Sequence, residues 1–154
     1  MISEDRQQLQ NKNFEKFLSP YLQEGHKNEV WEIKDVIVQK NQLEATITMS
    51  SLFLSETDNN EFHLAIFTSL EFSSQLMIIY LHHWAGLTEK RKEGWMIESS
   101  TKSVRAIRDS KNIKVIMNIL KIRNWGENIY CLANFTITDK QGGLFKLKIK
   151  GYLA

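Results

Sequence analysis

The stretch "FHLAIFTSLEFSSQLMIIYLHHW", Phe62–Trp84, decides how this chain folds. It is far longer than a strand, so it reads as one helix spanning 62–86, stopped by the left-handed turn that Gly86 supplies. Its residues are apolar nearly all round, which places the helix in a core rather than on a surface. Polar groups nevertheless interrupt it. At about 100° per residue, Thr68, Glu71, Gln75 and His82 share one narrow stripe, with Ser74 beside it. Ile66, Leu70, Met77 and Trp84 lie opposite. A membrane span does not carry Glu71, Gln75 and the His82-His83 pair at this density, and none is expected. A buried helix can carry them if the stripe faces a cavity or a partner subunit.

Working outward, the N-terminal side holds a polar helix over 1–19, with Leu9, Phe14, Phe17 and Leu18 as its apolar stripe and Ser19-Pro20 as its end. "EVWEIKDVIVQK" and "LEATITMSSLFL" are two strands joined at Asn41-Gln42. Beyond the helix, four strands are expected: Gly94–Arg108, Ile113–Arg123, Asn128–Thr138 and Leu144–Leu153. No linker or repeat divides the chain, so 1–154 is one α+β domain. Antiparallel strands around one apolar helix make the hot-dog arrangement. In the second of the four strands, Ile116, Leu120 and Ile122 point away from Ile113, Val115, Met117 and Ile119. Two apolar faces call for a second cover, and a homodimer is the simplest one.

Composition narrows the chemistry. Twenty basic residues against eighteen acidic ones give a net charge of +2, which is no reason to invoke nucleic acid. The lysines of "FKLKIKGY" alternate with Phe145, Leu147 and Ile149, as the wet face of a strand does. The single cysteine, Cys131, rules out an internal disulfide and falls on the apolar side of its strand. The charged opening is unlike a secretory leader, and a cytoplasmic protein is expected. No Gly-rich phosphate loop and no Gly-x-Ser-x-Gly elbow occurs. The histidines lack ligand spacing, so no metal is assigned.

Glu71 poses the central question. Either it is a structural carboxylate paired with Arg105 or Arg108, or it lines a substrate channel as general base, general acid or anchor. Desolvation on such a helix raises a carboxylate pKa, which suits proton transfer near neutrality. Gln75, one turn on, either holds a substrate carbonyl or water, or bonds a dimer mate. His63, at the expected helix start, is either an acid–base partner or a helix-end residue.

Three pieces then resemble one family. "FLSPYLQEGH" (Phe17–His26), "HLAIFTSLEFSSQL" (His63–Leu76) and "EGWMIES" (Glu93–Ser99) resemble, in order and spacing, segments of the FcoT-like (type III) fatty acyl thioesterases of the hot-dog superfamily. "DKQGGLFKLKIKGYL" is similar to that family's last hairpin. The resemblance implies acyl substrates carried on coenzyme A or on an acyl carrier protein through phosphopantetheine, with no further cofactor. Members hydrolyse the thioester or add glycine to the β-carbon of an enoyl carrier protein. Of the family's two tyrosines and two asparagines, Tyr21 matches a tyrosine. The second tyrosine falls near Thr57, and the asparagines fall on Ala65 and Ser74. "LEFSSQ", Leu70–Gln75, is also similar to the catalytic helix of β-hydroxyacyl carrier protein dehydratases, with Glu71 on their glutamate.

Together these readings set the expectation. Glu71, Tyr21 and His63 are the catalytic candidates. Thr57, Ala65, Thr68, Ser74, Gln75 and Trp95 are the substrate-binding ones, and the amides near Leu64 and Ala65 would polarise a carbonyl. Thioester hydrolysis is the leading reaction. Lyase chemistry at the β-carbon and a non-catalytic acyl-binding module are the alternatives.

Overall fold

The computed structural model describes residues 2, 4–18, 29–52, 54 and 56–154. Within them, seven strands form one antiparallel sheet: β1 (Gln7–Leu9), β2 (Val30–Gln39), β3 (Gln42–Ser51), β4 (Gly94–Arg105), β5 (Ile113–Trp125), β6 (Asn128–Thr138) and β7 (Leu144–Leu153). Their spatial order is β1-β2-β3-β5-β6-β7-β4. A short helix, α1 (Asn11–Phe14), continues as one tight turn over Glu15–Phe17. The long helix α2 (Ile66–Trp84) lies inside the curl of the sheet, against β3, β4, β6 and β7.

Alternation in the strands builds the core. Ile129, Cys131, Ala133, Phe135 and Ile137 on β6, and Phe145, Leu147, Ile149 and Leu153 on β7, point inward and are buried. They meet Phe72, Leu76, Ile79 and Leu81 of α2. Full burial of one such side chain contributes about 1.5–3 kcal/mol. Two glycines permit the closest approaches near the β4 edge. A Cβ on Gly151 would stand 2.7 Å from the Trp95 carbonyl oxygen, and one on Gly94 2.6 Å from Cγ1 of Ile78.

Several boundaries differ from the sequence reading. The expected helix over 1–19 is instead a short strand and a single helical turn. Gln7–Leu9 adds to β2, opposite Val36–Val38, because that edge offers unpaired backbone groups. The long helix starts at Ile66, not 62. The Leu64 amide donates to the Ile107 carbonyl at 2.9 Å, which holds Phe62–Ala65 extended. Its far end is as expected: Gly86 has φ +66° and its amide closes on the His83 carbonyl at 3.0 Å. β4 ends at Arg105 rather than Arg108. In β5, Ile116 and Leu120 do lie on the outer face, but a bulge between Ile119 and Lys121 brings Ile122 opposite Cys131 and back against the core.

Candidate functional site

The polar stripe of α2 forms a ladder with the start of β2. Glu71 is 7% exposed. The indole Nε1–H of Trp31 donates to its Oε2 at 3.1 Å. One turn earlier, the buried Thr68 hydroxyl donates to the Glu29 carboxylate. Trp31 is fixed in turn by Phe72, whose ring meets the indole edge-on at 6.1 Å. Gln75 continues the stripe and is fully buried. Glu29, just before β2, and Trp31 within it thus supply two rungs to helix residues spaced i, i+3.

The other side of α2 opens on a cavity of about 430 Å³. Ser74, Met77, Ile78 and Leu81 line it from the helix, Trp95 from β4 and Tyr152 from β7. The Ser74 hydroxyl donates to its own helix at the Leu70 carbonyl, 2.7 Å away. Glu93 adds a carboxylate to a wall that is otherwise largely apolar. The volume lies in the range of small-molecule sites. Ser74 follows Glu71 by three residues, so the acidic ladder and the greasy slot lie about one helical turn apart, and Glu71 is not itself among the residues that line the slot.

The structure therefore brings Glu71, Thr68 and Gln75 into one buried stripe, and Ser74 and Trp95 into one cavity. It separates others from them. His63 lies before the helix, and its Nδ1 pairs with Asp58 Oδ2 at 2.6 Å. Asp58 in turn accepts both guanidinium nitrogens of Arg108, at 2.8 and 3.0 Å. Those hydrogen bonds, Arg108 first and His63 second, hold the Asp58 carboxyl below its usual range. Arg108 is thus engaged with Asp58 rather than Glu71, and Arg105 is exposed on the sheet. Thr57 sits in an exposed turn, Glu56–Asp58. Ala65 is the N-cap residue of α2, and the neighbouring Leu64 amide is spent on Ile107 rather than offered to a substrate. Tyr21 lies outside the described residues. Burial pushes the Cys131 thiol up to about 12, in keeping with packing rather than nucleophilic use. Among the described residues no cluster of three or more His, Cys, Asp or Glu side chains could hold a metal, and no helix is long and apolar enough to cross a membrane.

The residues missed in the sequence are Glu29, Trp31 and Tyr152. Trp31 and Tyr152 sit in β2 and β7, whose alternation is legible in the sequence, and Glu29 lies just before β2. What the alternation lacks is the register that sets each of them against α2.

No protein-family model and no curated protein matches this chain. Solved structures do. A dehydratase heterocomplex from Xenorhabdus doucetiae aligns over 79% of this chain and 82% of its own, at 16% identity and a TM-score of 0.59. A thioesterase from Haemophilus influenzae aligns over 100% and 95%, at 16% identity and a TM-score of 0.55. A hypothetical thioesterase from Streptococcus pneumoniae, solved with coenzyme A, aligns over 80% and 85%, at 12% identity and a TM-score of 0.50. The fold is the hot-dog fold. At these identities the likeness carries the architecture alone, a hot-dog sheet wrapped on its central helix.

Proposed function

We propose that this hot-dog protein is an enzyme acting on acyl thioesters of coenzyme A or an acyl carrier protein, with hydrolysis as its reaction. The observation that carries the reading is a nearly buried carboxylate, Glu71, held by the Trp31 indole one helical turn from an apolar cavity. The cavity takes the acyl chain. The Glu71 carboxylate takes a proton from water as the oxygen attacks the thioester carbon. The carbon–sulfur bond then breaks, and the leaving thiolate regains a proton. Tyr21 is the donor we assign to the thioester oxygen, following the FcoT-like resemblance, and Gln75 orients the reactants from the same stripe.

A second copy of the chain completes the reading. β4 is a twelve-residue edge strand, and Trp95, Met96, Ile97 and Val104 are exposed along it. An unpaired edge of that length and apolarity favours pairing with another strand. Two β4 strands meeting would close the cavity at its Trp95 side.

The test is release of free thiol from a panel of acyl-CoAs and acyl carrier proteins, with Glu71→Gln beside the native chain. Hydrolysis at one chain length, reduced about a hundredfold or more in the variant, is the expected result for loss of a general base. No hydrolysis at any length, or turnover indifferent to Glu71, overturns the reading. Intact-mass analysis of enoyl carrier protein with glycine separates the lyase form: a mass gain equal to the amine reassigns Glu71 to proton transfer at the acyl chain. Stabilisation by an acyl chain without turnover assigns a non-catalytic binding module.

A further inference from the structure

The outer face of the sheet carries a block of cations used neither by the core nor by the candidate site. Lys102 on β4 stands directly opposite Lys146 on β7, and Lys148 stands opposite Ser100. Lys121 and Arg123 of β5 share that face, opposite Leu132 and Tyr130. Lys102, Lys146 and Lys148 have no ion-pair partner among the described residues. Like charges directly opposed across two strands repel, so the Lys102–Lys146 pair costs stability while nothing anionic covers it. Between these lysines runs a depression of about 420 Å³, lined also by Ser100, Asn134 and Thr136 and by no carboxylate.

The imbalance belongs to the whole C-terminal two-fifths of the chain. Residues 94–154 hold eleven Lys/Arg against four Asp/Glu, whereas residues 1–93 hold nine against fourteen. Three of those four acids are already engaged. Asp139 accepts the amides of Arg108, Asp109, Gln141 and Gly143. Asp109 accepts those of Lys111 and Asn112. Glu98 lies 3.7 Å from Lys150. A net charge near zero therefore conceals a strongly one-sided surface.

We propose that this lysine face docks an acidic protein surface. Lys146 and Lys148 are about 7 Å apart along their strand, and Lys102 faces Lys146 across about 5 Å. That is a compact patch of point charges, suited to a few carboxylates on one side of a folded partner. Single-stranded nucleic acid fits it less well, because the aromatic residue that lines the depression, Phe135, is turned into the core and only 1% exposed, so it offers no face on which a base could stack. Its cations are lysines, without the fork by which arginine grips phosphate. Charges of this kind steer association and set register more than they add affinity. The patch also runs toward the cavity: Tyr152, which lines it, lies four residues beyond Lys148 on β7, about 13 Å along the strand. Resting on the acyl-thioester reading above, the same face then favours a thioester borne on an acidic protein over one borne on coenzyme A alone.

The probe is a dye-labelled helical peptide bearing glutamates on one side, titrated with the whole protein at about 50 mM and again at about 300 mM salt, where screening is far stronger. A single-stranded RNA oligonucleotide of equal charge serves as the comparison. The expected result is peptide binding at low salt, weakened by salt and by about tenfold or more in Lys102→Gln/Lys146→Gln/Lys148→Gln. The control Lys12→Gln/Lys34→Gln/Lys111→Gln makes the same charge change elsewhere and should bind as the native chain does. Melting curves of both variants, and Lys148→Gln alone, keep the comparison among folded proteins. Absence of peptide binding at low salt, equal loss in both triple variants, or tighter patch-dependent binding of RNA overturns the proposal. Because binding is read without turnover, failure of the thioesterase reading leaves this result standing on its own.

Discussion

Trp31→Phe isolates the hydrogen bond on which the candidate site is built. Phenylalanine keeps a ring to pack against Phe72 but removes the Nε1–H that reaches Glu71 at 3.1 Å. A hydrogen bond to a charged group contributes about 1.5–3 kcal/mol. Glu71 is only 7% exposed, so water replaces little of it and the upper part of that range applies, about 2–3 kcal/mol. In a chain of this size each kcal/mol moves the melting temperature by about 2–4 °C, so the variant should melt about 4–12 °C lower. Some of that fall reflects the smaller ring. A double-mutant cycle with Glu71→Ala removes that part, since ring size acts alike on both backgrounds. A coupling energy of about 1 kcal/mol or more is expected between residues in direct contact. The same Trp31→Phe protein should also lose about tenfold in kcat, through a less firmly oriented carboxylate, a loss that a purely structural bond would not produce. Stability losses that add to within about 0.5 kcal/mol would refute the reasoning, because the indole and the carboxylate would then not be interacting.

Other perturbations test neighbouring parts of the structure. Gly151→Ala forces a Cβ to 2.7 Å from the Trp95 carbonyl, backbone that has little room to give; a loss of about 1–3 kcal/mol in chemical denaturation is expected. Ser74→Leu fills the cavity at the cost of a hydroxyl bonded only to its own helix, so long acyl-CoAs should turn over more slowly while short ones do not. His82 is fully buried, stacks on Phe17 at 4.5 Å and bonds the Ile78 carbonyl through Nδ1; burial holds its pKa below the usual histidine value. A depressed histidine is neutral in the fold but takes a proton when unfolded. Its contribution is therefore complete above about pH 6.5 and is lost as pH falls below that, by at most about 1.4 kcal/mol per pH unit. His82→Phe should make the fall in melting temperature between about pH 6.5 and 5 less steep, leaving the share of the similarly depressed His83, above the range where the depressed carboxyls of Asp58 and Asp139 titrate. An equally steep decline in the variant would show that His82 contributes nothing to it.

The parts of this fold that were legible in sequence are those governed by a local period. Nineteen helical residues with a polar stripe, and strands alternating as cleanly as Ile129–Ile137, declare themselves without neighbours. Gly86 likewise ends the helix through its own φ. The illegible parts are those where a distant partner outbids the local signal. Phe62–Ala65 is as apolar as the helix it precedes, and it is held extended by the bond from Leu64 to Ile107, with Arg108 on the Phe62 carbonyl. Gln7–Leu9 is too short to show alternation and becomes a strand because β2 has an open edge.

The candidate site follows the same division. That Glu71, Thr68 and Gln75 share a face is a property of 3.6-residue geometry, and all three are buried along α2. What Glu71 bonds to is a property of topology. Arg108 looked like a counter-ion for Glu71, with nothing in the local sequence to point it at the loop between β3 and α2. Asp58 in that loop takes the guanidinium through two bonds and takes His63 as well, which draws a cation and a histidine candidate into a different cluster. Glu71 is reached instead from forty residues upstream, by a tryptophan whose strand reading gave no hint of a polar role. An indole N–H can donate to a carboxylate but cannot neutralise it. The indole orients the carboxylate from the side of β2, and this is why the Trp31–Glu71 contact, rather than the fold, carries the catalytic reading.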